Sequence, residues 1–293
     1  MPSPTANEFE AHRSYLTAVA FRMLGSRAEA EDAVQEAWLR FAQQTDVRDA
    51  RGWLTTVTGR ICLDQLNSAR VRRTSYPGEW LPVFAVDPDA DPAFLAERAD
   101  QVSVALLVVL ERLTPEQRVA FVLHDAFGVP FEEVATVLDT TPASARQHAS
   151  RGRRAAAEGG IRHTAGVAEQ RRVLTAFLAA AQGGDFRTLA AVLAPDVVAI
   201  SDGGGVVRSA LRPVSGVAKV SRLFHGLLTH RLSDAVELKV EPVLVAGGAA
   251  MLLRGRRADG SRLLSVLTVA VDNGVITGLF VQQNPAKVLL GDL

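Results

Sequence analysis

Cysteine is almost absent from this 293-residue chain: Cys62 stands alone, which excludes an intrachain disulfide and a thiolate metal cluster. Lysine is scarce as well. Lys219, Lys239 and Lys287 are the only lysines among 32 basic residues, and arginine supplies the rest. Aromatic residues make up 6% of the chain, and tyrosine occurs only as Tyr15 and Tyr76. No apolar run approaches the length of a membrane span, and the N-terminus has no basic-then-apolar leader pattern. A soluble protein of a reducing cytoplasm is expected. The formal net charge is +0, yet this does not argue against a nucleic-acid partner, because what counts is how charge is distributed along the chain.

That distribution is uneven around Phe131–Arg154. Phe131, Val134, Ala135 and Leu138 recur at helical spacing, and Asp139-Thr140-Thr141 breaks the pattern. Thr141 is a suitable N-cap, with Pro142 at the first helical position. The second helix carries the small residues Ala145, Ala149 and Gly152 on one face. Ser144, Arg146, Gln147, His148, Ser150 and Arg151 lie on the other. No acidic residue falls between Asp139 and Glu158, whereas Arg146, Arg151, Arg153 and Arg154 do. A helix-turn-helix with its second helix in a DNA major groove has this pattern, and so does an ordinary helical hairpin with a solvated basic face. The turn lacks the glycine often found there.

Upstream, residues 8–24 and 30–41 read as amphipathic helices, the second opened by a Ser26/Glu29 capping box. The loop 43–49 leads to a third helix over 53–73, which ends in Arg70, Arg72 and Arg73. Tyr76–Pro92 is a Pro- and Asp-rich connector, but Tyr76, Trp80, Leu81 and Phe84 are costly to leave in water, so it is expected to dock. Residues 101–112 form a further helix, and Thr114-Pro115-Glu116-Gln117 opens one that runs to Gly128. From about residue 162 the character changes. Two helices lie over 167–193, broken at Gly183-Gly184. A short strand Val197–Ile200 then closes on SDGGG at 201–205, and a helix follows over 216–228. Four Val/Leu-rich runs come last, with turn signals at Gly247-Gly248, Ala258-Asp259-Gly260 and Asp272-Asn273-Gly274. Helices followed by a meander predict an α+β domain with one curved antiparallel sheet.

AEDAVQEAWLRF (30–41), WLTTVTGRICLDQLNSARVRR (53–73) and residues 114–154 together resemble an extracytoplasmic-function sigma factor, the promoter-recognising subunit of bacterial RNA polymerase. YPGEWLP at 76–82, SDGGG and NPAK at 284–287 are similar to motifs of the subgroup that carries a C-terminal SnoaL-like cone. Glu79 stands where that subgroup has proline, and Val83-Phe84 where it has Glu-Pro. The resemblance implies a multidomain fold of two all-α sigma domains and an α+β SnoaL-like cone. Its parts are region 2 at 1–75, a linker at 76–100, region 4 at 101–161 and a regulatory domain at 162–293.

The resemblance also implies site residues. Asp32, Gln35, Glu36 and Arg40 would meet polymerase. Arg70, Arg72 and Arg73 would touch the promoter backbone near the −10 element, where Gln43–Asp49 would capture a flipped base. Ser144, Arg146, Gln147, His148, Arg151 and Arg154 would read the −35 element. Tyr76, Gly78, Trp80, Leu81, Pro82, Asp202, Gly203, Gly204, Asn284, Pro285 and Lys287 would form a regulatory set that holds regions 2 and 4 together. The implied partners are the polymerase core, at the clamp of its largest subunit and at its flap, and promoter DNA. No membrane and no separate anti-sigma factor is implied.

Competing expectations are a DNA-binding regulator that ignores polymerase, and a SnoaL-type isomerase or ligand binder. The enzyme reading lacks the tyrosine donor that such a cone uses, because neither tyrosine lies in the domain, although Asp202 and His225 remain as an acid and a base. A small ligand sensed within the cone lies between these readings. His225 and His230 have no supporting ligands at metal-binding spacing, so neither a metal nor a cofactor is expected.

Overall fold

The computed structural model describes residues 6–73, 75–87, 103–158, 161–183 and 186–290, without the side chains of 72, 73, 158, 186, 230 and 231. Gly184 and the whole of the aspartate-rich run after Asp87 lie outside these residues. The chain divides into two compact units that do not follow its linear order: Met1–Ser75 with Val109–Gly159, and Tyr76–Val108 with Gly160–Leu293.

The first unit is all-helical. It contains α1 (Ala6–Leu24), α2 (Arg27–Phe41), α3 (Ala50–Arg73), the end of α4 (Val104–Glu111), α5 (Pro115–Phe121), α6 (Phe131–Val137) and α7 (Pro142–Glu158). The expected α1 stripe is buried from Phe9 to Leu24. Ser26 caps α2 by accepting the Glu29 N–H, and Thr114 and Gln117 close a reciprocal capping box on α5. The helix predicted to run to Gly128 instead widens into a π turn over Val122–Ala126. Residues 6–73 and 109–158 share one core. A Cβ on Gly59 of α3 would stand 2.9 Å from Val137 of α6, and the Arg60 guanidinium donates to the Thr136 carbonyl at 2.7 Å. Arg118, 2% exposed, pairs with Glu111 at 2.8 Å. Burial draws its guanidinium down to about 10, opposed by the nearby Glu29.

The second unit is α+β. Helices α8 (Val167–Gln182), α9 (Phe186–Ala191) and α10 (Val217–Gly226) accompany strands β1 (Phe84–Asp87), β2 (Leu193–Asp202), β3 (Val214–Ser215), β4 (Ala235–Val245), β5 (Gly248–Arg257), β6 (Arg262–Asp272), β7 (Val275–Gln282) and β8 (Val288–Leu290). One eight-stranded sheet runs β3-β2-β7-β6-β5-β4-β1-β8. The predicted β4–β7 meander is present, and its Asn273-Gly274 turn takes φ values of 50° and 78°, the left-handed pair a tight hairpin needs. Bulges shift the register in β2, β4 and between Ala270 and Val271, and bulges bend and twist a sheet.

The sheet departs from the antiparallel expectation in two places. β2 runs parallel to β7, and β1 runs parallel to β8. Both pairings join segments far apart in sequence, which no local pattern encodes. Leu174, Phe177, Val220 and Phe224 from the helices pack on Leu267, Val269, Val271 and Leu279 of the sheet. β1 comes from the connector: Phe84, one of its departures from the subgroup motif, is fully buried in the sheet.

Candidate functional sites: a basic helix face and a carboxylate latch

In the helix-turn-helix, α6 buries Val134, Ala135 and Val137, while Phe131 and Leu138 lie at its margin. The missing turn glycine is replaced by Asp139, which takes φ 50°, a conformation aspartate tolerates better than most residues. Thr141 caps α7 as expected, its hydroxyl accepting the Ser144 N–H at 3.2 Å. Ala145, Ala149 and Gly152 are buried, and a Cβ on Gly152 would stand 3.0 Å from the Gln117 carbonyl. The small face therefore seats α7 against α5, and rotation of α7 about its axis is not available to it.

Arg146, Gln147, Arg151 and Arg154 are exposed as a consequence, with Ser144 and His148 half-buried at the edge. The Arg146 guanidinium lies over the Phe131 ring at 4.9 Å, which aligns its fork before any ligand arrives. Arg153 is tied to Asp125 at 2.7 Å. The remaining exposed arginines suit guanine edges and phosphates.

On α2, Asp32, Gln35, Glu36 and Arg40 are all exposed, and Glu36 pairs with Arg40 one turn on. Leu39 lies among them, 55% exposed. It is an exposed apolar side chain within an otherwise polar helix face, a pattern that helical periodicity alone could have marked. Trp53 packs against Phe41, ring centroids 5.5 Å apart, so it serves the core. Arg70 is exposed near the end of α3, and the side chains of Arg72 and Arg73 lie outside the described residues.

The third constellation lies wholly in the second unit. Asp202, at the end of β2, is 0% exposed, and its carboxylate accepts four hydrogen bonds. Oδ1 takes the Tyr76 hydroxyl at 2.5 Å and the Gly204 N–H at 2.9 Å. Oδ2 takes the Leu81 N–H at 3.0 Å and the Lys287 ammonium at 2.7 Å. Lys287 also donates to the Leu81 carbonyl at 3.0 Å and lies over the Trp80 ring at 3.0 Å. Asn284 donates to the Tyr76 oxygen at 3.0 Å. Its own side-chain oxygen accepts the Ala286 N–H at 3.0 Å, which caps the short 3-10 turn Pro285–Lys287. Burial and the Asp202 hydrogen bond push the Tyr76 phenol well above its ordinary value, so it is a permanent donor.

The connector is thus stitched to the sheet by one carboxylate, one ammonium and one amide. Gln282, which no sequence motif marks, completes the set: fully buried, it donates to the Pro82 carbonyl at 3.0 Å and accepts from the Asn284 N–H at 3.1 Å. Gly204 has φ 63°, and a Cβ there would collide with the Asn284 side chain, which explains a glycine at that position. Gly203 is closed in on Val207, and Gly78 takes φ 87° at the connector bend. Glu79 appears in none of these contacts and is half-exposed, so its replacement of proline leaves them intact.

This geometry also bears on the enzyme alternative. The tyrosine expected to be missing from the cone is present, brought in by the connector. It donates its proton to Asp202, whose oxygens are all occupied and sealed from solvent, so the carboxylate cannot act as a base on a substrate. Among the described residues no cluster of His, Cys, Asp and Glu could hold a metal ion, and no helix is long and apolar enough to cross a membrane.

A helix-turn-helix with a basic face, a helical unit upstream and an appended α+β unit define a modular DNA-directed regulator. Comparison with known proteins makes this specific. The sigma-70 region 2 family matches residues 9–72, and the sigma-70 region 4 family matches residues 103–155. The chain is 41% identical over 289 residues to the ECF RNA polymerase sigma factor SigJ of Mycobacterium tuberculosis, covering 96% of this chain and 92% of that one. It is 38% identical to a sequence from the same species named as probable ECF RNA polymerase sigma factor SigI, covering 97% and 95%. The crystal structure of M. tuberculosis SigJ superposes with a TM-score of 0.72 at 38% identity, over 97% of this chain and 98% of that one. The chain belongs to the family of ECF RNA polymerase sigma factors.

Proposed function

We propose that residues 1–75 act as region 2 at the −10 element and residues 101–161 as region 4 at the −35 element. In this reading 76–100 is the linker and 162–293 regulates both in cis. The observation that carries the reading is the α7 geometry: a buried small face leaves Arg146, Gln147, Arg151 and Arg154 turned outward. Asp32, Gln35, Glu36 and Arg40, with Leu39 at their centre, form the surface for the polymerase clamp, and region 4 meets the flap. Arg70, Arg72 and Arg73 contact backbone phosphates beside a −10 base captured by the loop 43–49. The protein works in the cytoplasm, where polymerase is.

The elements are named for positions about 25 base pairs apart, roughly 85 Å of B-form helix. Regions that touch one another, as Arg60 and Thr136 do, cannot read both at once. The two regions therefore part on the promoter, and their connector must extend. The linker 76–100 is 25 residues and can span roughly 85 Å when extended, but the latch keeps its first segment on the sheet. Release of the Asp202 latch is the regulated step, and no separate anti-sigma protein is required.

Run-off transcription with core polymerase tests this by comparing three proteins: the full chain, a chain ended after Gln283, and a chain ended near Gly160. The chain ended after Gln283 loses Asn284 and Lys287 and is expected to gain promoter-dependent transcription. The chain ended near Gly160 has no sheet to hold the connector and is expected to match it. No change in transcription or polymerase affinity on loss of Asn284 onward removes the latch from the reading. Failure of the full chain to bind core polymerase removes the reading itself.

A further inference from the structure

Strand β4 is paired on both sides for only part of its length. β5 accompanies it from Ala235 to Val245, whereas β1 meets it only at Leu244 and Val245. Among the described residues, 235–243 therefore form an open strand edge. A strand edge of this kind offers a row of backbone donors and acceptors to another strand.

This edge also carries apolar side chains: Val236, Leu238 and Val240 are 69%, 38% and 40% exposed. Glu237 and Lys239 lie between them, both exposed and neither in an ion pair among the described residues. Glu241, by contrast, is paired with Arg254 at 2.6 Å. Pro242 shows which backbone groups point outward. Proline fits a sheet edge where its nitrogen faces the open side, and backbone direction alternates along an antiparallel strand. Leu238 and Val240, at the same parity as Pro242, then turn their N–H and C=O groups to the open edge.

We propose that this edge pairs with the same edge of a second copy of the chain, antiparallel about a two-fold axis at Leu238. The segment Val236-Glu237-Leu238-Lys239-Val240 is its own complement about that point. Leu238 meets Leu238 of the partner subunit, Val236 meets Val240 of the partner subunit, and Glu237 meets Lys239 of the partner subunit. Symmetry makes the ion pair twice, and opposite charges across a strand pair are stabilising. Neighbouring registers fail on physical grounds. An axis at Glu237 or Lys239 sets like charges opposite one another. An axis at Val240 brings Val236 of the partner subunit beside Leu244, the position that β1 already holds. With the axis at Leu238, Ala235 of the partner subunit lies opposite Glu241, so its strand stops short of β1. A bulge shifts the β4–β5 register between Ala235 and Glu237, which keeps the pairing short. Each copy uses its one open β4 edge, so assembly closes at two.

Sedimentation velocity of the full-length protein over about 1–500 μM tests this, because a pairing this short should have a dissociation constant of about 10–100 μM. A monomer–dimer transition is expected in that range. Hydrogen exchange at the Leu238 and Val240 amides should slow as the concentration rises through it. Lys239→Glu opposes like charges twice and should weaken association about tenfold. The double variant Glu237→Lys/Lys239→Glu exchanges the signs and should return association to that of the unaltered protein. A monomer at every concentration overturns the proposal. So does a dimer indifferent to Lys239→Glu, or a double variant that associates as weakly as Lys239→Glu alone. All of this is read without polymerase or DNA, so the interface and the promoter reading can fail independently.

Discussion

Replacing Asp202 with alanine removes the acceptor for four donors at once. The Lys287 ammonium, on a residue 6% exposed, would keep the Leu81 carbonyl and the Trp80 ring but lose its counter-ion. Breaking a buried ion pair from one side costs about 3–5 kcal/mol, because the remaining charge stays desolvated. The Leu81 N–H, left without its acceptor, adds a part of the ~1–3 kcal/mol typical of a bare buried donor. These terms overlap, so about 3–5 kcal/mol is the expected total, or roughly two to three and a half orders of magnitude in the latch equilibrium. Hydrogen exchange at the β1 amides, which pair with β4 and β8 and do not bond Asp202, reads that equilibrium, and their protection should fall by this factor while α2 and α7 amides keep theirs. Lys287→Met added to Asp202→Ala should restore part of the loss, since no unpaired charge then remains. Unchanged exchange in β1, or a double variant no better protected than Asp202→Ala alone, would refute the reasoning.

Other outcomes follow from the same structure. Arg146→Ala or Arg151→Ala should weaken binding to −35 promoter DNA by about 1–3 kcal/mol where the contact is to a base edge, measured by fluorescence anisotropy at fixed salt. Gly152→Val should destabilise the helical unit by about 1–3 kcal/mol, because its side chain would enter the 3.0 Å space against Gln117, and a lowered thermal midpoint would report it. Burial lowers the pKa of His163, with Asp272 opposing, and its Nδ1 accepts the Val271 N–H at 3.2 Å. The folded state thus holds fewer protons on His163 than the unfolded state. Stability should be level above the ordinary histidine value of about 6.5 and decline as pH falls below it, less steeply in His163→Gln. Equal declines in the two proteins would contradict that assignment.

Much of the fold was legible because it is local. The α1 stripe, the Ser26 cap, the Thr114 capping box, the Asn273-Gly274 hairpin and the small face of α7 each depend on residues within a few positions of one another. The site was legible in its parts. SDGGG, NPAK and the aromatic connector stood out as motifs through a family resemblance, without showing which atom holds which.

Only tertiary structure decided the rest. Asp202 and Lys287 are 85 residues apart, and Gln282 reaches the Pro82 carbonyl across 200. Their pairing depends on β2 lying parallel to β7 and β1 joining β8, and strand order is set by burial of whole faces rather than by local propensity. The chain's composition and periodicity determined a helical reader followed by a sheet. Folding determined that the connector belongs to the sheet, because Phe84 and Leu81 find a core there and Asp202 finds its donors.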